Sequence, residues 1–508
     1  MLFSFENVHR QYLACRKNKR NSKSALTFEC RQEENLFALQ QALESRTYRP
    51  GRSVCFFSEK PKLREIFAAD FRDRIVHHIL VSRLETLWEP LFIHDSYACR
   101  RGKGTHRAVE RLGQFLRQAT ANGTRPAWFL QLDIKNYFMT IDRDILYRLV
   151  AAKLGSGDDD LHWLTRLLIF HDCTQNPEFK CAARLLDKIP PHKTLFHAPP
   201  GKGLPIGNHT SQFFANVYLN RLDQFVKHRL KCHFYLRYCD DFVLVSTDRA
   251  ELCVWREGIE AFLLNTLRLE LNQKRERLLP ATNGVDFLGY IVRTDYALVR
   301  RRVVGNLRSK LRDYATRLVS HGPNWTRYDF DEALLDHLQA TLASYLGHFK
   351  FASTYRLCVA LWERYPFLTQ YFDFDAQTRK LSCKYKTPKV FRKVRQQFAY
   401  FAHRFTGDVL FFQVGRFFEF YESHNAEVAQ VLGLAPMDKN RRGARYGFPK
   451  ERFTVYLWLC LNEKRSVVVI EERECNLTRI KVRTPTCRYA PKDLAQPFKS
   501  FPDGQPQR

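Results

Sequence analysis

The chain has no long apolar run. Across its 508 residues no stretch approaches the roughly 18 residues that a spanning helix requires. Its start, MLFSFENVHRQYLACRKNKR, lacks the apolar centre of a secretory signal. Membrane association is therefore not expected, and a cytoplasmic setting is. The 14 cysteines contain no C-x-x-C pair, which excludes a zinc knuckle or a dithiol redox centre. Acidic residues are in short supply: 53 Asp+Glu face 82 Lys+Arg, a net charge of +29. That excess suits a polyanionic partner, and without a membrane signal it points to nucleic acid. A G-x-x-x-x-G-K-[ST] sequence is also missing, so no P-loop ATPase is encoded.

With 45% hydrophobic residues the chain can fill the cores of roughly two to four domains. Residues 1–50 are basic and helical in pattern and end at TYRPG, where Pro50 and Gly51 break the run. Strands, helices and basic residues alternate over 51–295. Residues 171–203, rich in Pro, Lys and His, read as an elaborated loop or hairpin. A helical, basic segment follows over 296–385, then a new apolar pattern over 395–485. The tail, 486–508, is expected to be disordered.

One stretch departs from ordinary strand chemistry. FYLRYCDDFVLV, 234–245, sets Asp240 and Asp241 side by side between two runs of strand formers, although acids are depleted in strands and adjacent like charges repel. Asp133 lies at the end of a third apolar run, in WFLQLDIKNYF. Acids on adjacent strand ends form the hard oxygen cluster that Mg²⁺ prefers, and a pair of such ions can drive nucleotidyl transfer. By contrast Asp158, Asp159 and Asp160 in GSGDDDLHW read as a helix N-terminal cluster. His77 and His78 read as helix residues without metal-ligand spacing, and Cys99 and Cys239 as small buried hydrophobes.

These acids sit in an ordered series that resembles the reverse transcriptases, specifically those of diversity-generating retroelements. The series is PKLREIF, DRIVHH, DSYACRRGKGTH, QLDIKNYF, GLPIGNHTSQFFANVYLNRLDQFV, RYCDDFVLV, LNQKRERLL, FLGY and SYLGHFKFAS. The resemblance implies an α+β right-hand polymerase, with fingers and palm over 51–295 and a helical thumb over 296–385. It implies two Mg²⁺ ions, with Mn²⁺ as a substitute, held by Asp133, Asp240, Asp241 and the backbone oxygen of Ile134. Lys62, Arg64, Arg100, Phe138, Ile206, Gly207 and Lys274 would meet the incoming dNTP, with Lys103 a weaker candidate. Phe138 would exclude a 2′-OH. Tyr238 and the FLGY turn, Phe287, Leu288, Gly289 and Tyr290, would hold the primer.

Ile206 stands where most reverse transcriptases carry Gln, and Gln212 follows Ser211 where they carry Pro. This departure fits an enzyme that miscopies template adenines. Template RNA, primer, RNA:DNA hybrid and dNTPs are the implied partners, and a basic accessory protein is compatible with them. Group II intron-type and antiviral reverse transcriptases are alternatives, although no H-N-H cluster with paired cysteines is present. A non-catalytic RNA-binding scaffold is the alternative of another class.

The later segment FFQVGRFFEFYESHNAEVAQVLGL and YGFPKERFTVYLWLCLNEKRSVVVIEE resembles the mismatch-recognition domain that begins MutS proteins. The resemblance implies a small αβ domain in which Phe417 wedges into a base stack and Glu419 bonds to a base. Arg416 stands where that family has an acid.

Overall fold

The computed structural model describes every residue except 1, 18–21, 59–62, 181–188, 387–390, 438–442, 474–479 and 493–508. Two compact units divide the chain, Met1–Ala297 and Leu298–Arg508.

The first unit opens with helices α1 (Phe5–Arg16), α2 (Lys23–Glu29) and α3 (Gln32–Glu44). Their apolar faces, among them Val8, Tyr12, Leu36, Leu39 and Leu43, enter the same core as the segments that follow. Strands β1 (Val54–Ser58) and β2 (Arg64–Ala68) form an antiparallel hairpin. Helix α4 (Phe71–Trp88) begins at Asp70, whose side chain accepts from Arg72 N and satisfies an end amide. It carries His77, buried, and His78, half-buried. Helix α5 (Thr105–Ala119) buries one stripe, from Ala108 through Leu112 and Phe115 to Leu116.

Strand β3 (Trp128–Asp133) is buried along almost its whole length, which is why WFLQL is apolar apart from Gln131. Helices α6 (Tyr137–Thr140), α7 (Arg143–Ala151) and α8 (Asp159–Phe170) follow. Asp158 is the N-cap of α8, but its carboxylate accepts from Gly155 N in the preceding turn. The 171–203 stretch is a loop with the short strand β4 (Glu178–Phe179), parallel to β1. After it come helix α9 (His209–His228), strands β5 (Phe234–Tyr238) and β6 (Asp241–Ser246), helix α10 (Arg249–Phe262) and strand β7 (Arg277–Pro280). A hairpin of β8 (Val285–Phe287) and β9 (Tyr290–Val292) ends the unit.

The functional frame is the antiparallel sheet β5-β6-β3-β7, with β6 and β3 at its centre. Leu130, Leu132, Tyr235, Phe242 and Leu244 bury into the main core with α4 and α9. Each such side chain contributes about 1.5–3 kcal/mol, so the register of the central pair is strongly held.

In the second unit, helices Arg301–Leu318, Glu332–Phe349 and Tyr355–Arg364 share one core with Phe398, Phe412, Tyr421 and Ile470. A seven-stranded sheet runs in the order Val319–His321, Trp325–Asp329, Val482–Pro491, Val467–Arg473, Val409–Val414, Phe417–Phe420, Tyr446–Pro449. The segment expected as a thumb thus lends two strands to the sheet of the MutS-like segment. Residues 299–370 read as helical throughout, but WTRYD supplies aromatic and β-branched residues that pair with Val482–Pro491. That last strand runs on to Pro491, into the segment expected as a tail, and 493–508 lie outside the described residues. No helix of the described residues is long and apolar enough to cross a membrane.

Candidate active site

The β5–β6 turn is two residues, Cys239 and Asp240, closed by the pair Tyr238 and Asp241. Cys239 adopts φ 57°, the left-handed region such a tight turn requires. Asp241 opens β6 directly opposite Asp133, the last residue of β3. Ile134 N donates to Asp240 O at 3.3 Å, so the turn is laced to the chain just past Asp133. The three acids therefore meet at one end of the two central strands. The expectation that both cysteines are buried is corrected here: Cys99 is exposed and Cys239 only half-buried, because both sit in surface turns at positive φ.

Charge at this point is costly. Burial pushes the Asp241 carboxyl up to about 7, with the charges of Asp240 and Asp133 adding to the rise and the Gln131 amide opposing it. Asp240 is also raised, first by burial and then by the neighbouring charge of Asp133. Asp133 itself is 7% exposed and held from one side: Asn272 Nδ2 donates to Oδ2 at 2.8 Å and Arg275 Nη1 to Oδ1 at 3.0 Å. Asn272 N donates to Asp133 O at 2.8 Å. Carboxylate and carbonyl oxygens alone make a donor set that fits a hard divalent cation. Among the described residues no three His, Cys, Asp or Glu side chains are arranged as a ready ligand set.

Beneath the turn lies a buried ion pair, and neither partner stood out in the sequence. Arg237 and Asp223 are both fully buried, with Nη2 to Oδ2 at 2.6 Å and Nε to Oδ1 at 2.7 Å. The guanidinium also donates to Cys239 O at 3.0 Å, Asn216 Oδ1 at 3.2 Å and Ser96 Oγ at 3.1 Å. It thereby ties the turn that presents Asp240 to α9 and to the 95–97 segment. Only the position of an Arg just before the acids could have hinted at it.

The remaining expected residues divide. Phe138 is half-buried, and its carbonyl accepts from Leu204 N at 2.8 Å. Ile206 O accepts from Phe67 N at 2.8 Å, which joins the 204–208 loop to β2. Gly207, at φ 126°, makes that approach feasible: a Cβ there would lie 2.6 Å from Phe67 O. Glu65, also buried on β2, accepts from Leu195 N at 2.9 Å and from the Thr194 hydroxyl.

Arg64 is exposed at the start of β2, while Lys62 lies outside the described residues. Arg100 is otherwise engaged: it pairs with Glu89 at 2.8 Å and donates to the carbonyls of Ile93 and Ser96. Lys103 donates to His94 O at 2.8 Å. Lys274 is exposed, and its neighbour Arg275 is the one that reaches Asp133. Tyr238 is half-buried, and its OH accepts from Thr105 Oγ1 at 3.2 Å. Phe287 and Tyr290 are the closing pair of the β8–β9 hairpin, with Leu288 and Gly289 at its tip, both at positive φ. In the second unit Phe417 is 43% exposed, whereas Glu419 is buried and accepts from the Tyr421 OH.

An antiparallel sheet with acids gathered at the ends of its two central strands is the palm of a right-hand polymerase. Residues 58–292 match the family described as "Reverse transcriptase (RNA-dependent DNA polymerase)", and residues 392–488 match "MutS domain I". The chain is 25% identical over 305 residues to Protein YkfC of Escherichia coli K12, covering 53% of this chain and 74% of YkfC. It is 24% identical over 326 residues to the group II intron-encoded protein LtrA of Lactococcus lactis, covering 51% of this chain and 50% of LtrA. Apo telomerase of Candida tropicalis, truncated of its C-terminal domain, aligns with a TM-score of 0.37 at 10% identity, over 53% of this chain and 60% of the other.

Proposed function

We propose that the protein is an RNA-directed DNA polymerase that copies a template RNA into cDNA. The observation that carries this reading is the meeting of Asp133, Asp240 and Asp241 at one end of the central strands, inside the segment that matches the reverse transcriptase family. Asp133, Asp240, Asp241 and the Ile134 carbonyl are the groups that would hold Mg²⁺ or Mn²⁺, which supplies Lewis acidity to the primer hydroxyl and to the departing pyrophosphate. Asn272 and Arg275 orient Asp133, and Arg237 steadies the turn that bears Asp240. Phe138, with its backbone fixed by Leu204, is suited to bar a ribose 2′-OH. Among the described residues, Arg64, exposed at the start of β2, is placed to meet a triphosphate, a role that Arg100, engaged with Glu89, is poorly placed to take. Asp240→Asn should abolish nucleotide addition on an RNA template while RNA binding persists; incorporation by that variant would sink the reading, and a scaffold would show none even before mutation.

The finer reading is an error-prone enzyme of a diversity-generating retroelement. Ile206 bonds to β2 through its carbonyl, and its aliphatic side chain, with neither donor nor acceptor, offers no polar check on the nascent pair. Ile206→Gln is expected to lower misincorporation opposite template adenine, and equal error spectra in primer extension would remove this role. A group II intron-type enzyme is the second reading, favoured by the similarity to LtrA. For the MutS-like segment we propose nucleic-acid binding through exposed Phe417 and Arg416, with Glu419 serving the fold.

A further inference from the structure

Gln131 stands two residues before Asp133 on the same face of β3, paired with Val243 on β6 and Arg277 on β7. It is only 8% exposed, so its amide must find partners within the fold. Its two amide hydrogens do so. Nε2 donates to Asp241 Oδ1 at 3.1 Å and to the backbone oxygen of Asp286 at 3.1 Å. Asp286 is the middle residue of β8, one position before Phe287. The Asp286 side chain is drawn to the same place, 3.7 Å from Arg277 on β7.

We propose that Gln131 is a positioning residue that sets Asp241 in register with the β8–β9 hairpin, so that one amide fixes both the carboxylate and the support of the primer end. The proposal rests on the polymerase reading above. A single donor nitrogen shared between the Asp241 carboxylate and the Asp286 carbonyl fixes the separation of the acid cluster from that hairpin. A side chain that only filled space at this position would be apolar, since an unpaired buried amide is costly.

The experiment uses the full chain with an RNA template and a DNA primer carrying 2-aminopurine at its 3′ end. Gln131→Met keeps length and volume but removes both donors. Gln131→Glu keeps the shape and sets a third carboxyl against Asp241. Fluorescence without divalent cation reads how the primer end is seated, and single-nucleotide addition with Mg²⁺ reads kcat and the KM for dNTP. For Gln131→Met we expect unchanged hybrid affinity, altered 2-aminopurine emission, and kcat lower by roughly tenfold at constant dNTP KM, as for loss of a charge-assisted bond. Gln131→Glu should be more severely affected in kcat. Wild-type emission and kcat in a Gln131→Met protein with wild-type melting would overturn the proposal. If Gln131→Met does not fold, wild-type values for Gln131→Glu would overturn it equally. Failure of the wild-type protein to add any nucleotide would instead overturn the polymerase reading.

Discussion

Replacing Arg237 by Met tests whether the acid turn depends on the charge buried beneath it. Arg237 donates to five acceptors: both oxygens of Asp223, Asn216 Oδ1, Cys239 O and Ser96 Oγ. Met removes all five and leaves Asp223 fully buried with one bond in view, from the Tyr235 OH at 2.7 Å. Breaking such a pair on one side typically costs about 3–5 kcal/mol, a large share of the roughly 5–15 kcal/mol that holds a domain together. The melting point of the first unit should fall by on the order of 5–10 °C. Adding Asp223→Leu to Arg237→Met removes the orphaned charge and should restore much of that stability. Nucleotide addition should remain low in the double variant, because Cys239 O has still lost the donor that steadies the turn. Calorimetry and primer extension on the wild type, both single variants and the double variant give the complete cycle. A stability change below about 1 kcal/mol for Arg237→Met would refute the reasoning, since a fully buried ion pair cannot lose one member so cheaply. Full activity in the double variant would refute the link to the turn.

Two further outcomes follow from the site. Asp241 has its carboxyl raised in the folded chain, to about 7, above the unfolded value near 4. The folded state then binds more protons than the unfolded state between those values, so with divalent cations chelated the protein should lose stability as pH rises from about 4 to about 7 and level off above. Asp241→Asn should flatten that part of the profile; an unchanged slope in urea unfolding would mean that the acid is not buried among like charges. Gly207→Ala places a Cβ 2.6 Å from Phe67 O and 2.8 Å from Ile66 Cγ2, at a φ of 126°. It should weaken the junction of the 204–208 loop with β2 by roughly 1–3 kcal/mol and raise the dNTP KM; wild-type kinetics and melting would show that the loop can yield.

What could be read from the sequence was local. Asp133, Asp240 and Asp241 were legible because each ends a run of strand formers, and the period-2 geometry leaves few ways to arrange such runs. FYLRY and FVLV appear as β5 and β6, and WFLQL as β3. The partners of those acids were not legible. Gln131, Asn272 and Arg275 come from strand and loop positions whose meaning depends on pairing between distant segments, and nothing singles Arg237 out among the 82 Lys and Arg of the chain. Arg100 shows the opposite case: its motif position suggests a ligand for phosphate, and in the structure Glu89 and two carbonyls take up its donors. The WTRYD strand was hidden among helical residues because its partner, Val482–Pro491, lies far along the chain.

Those partners explain how a chain can keep two adjacent acids at a strand junction. Each acid is offset by a different distant segment: Asp133 by Asn272 and Arg275, Asp241 by Gln131, and the turn bearing Asp240 by Arg237 through the Cys239 carbonyl. Of these only Arg275 brings positive charge directly to a carboxylate of the cluster, and it contacts Asp133 from an exposed turn. The buried charge of Arg237 is spent on Asp223. The cluster is therefore positioned more fully than it is neutralised. Asp240 and Asp241, the two acids with raised titration, are also the two without a cation bonded to them among the described residues. Removing a positioning group should consequently disturb geometry before charge. Arg275→Gln, which keeps a donor but not the charge, should leave Asp133 in place and slow nucleotide addition less than Asn272→Leu; the reverse order in primer extension would mean that charge, not position, is what the surrounding segments supply.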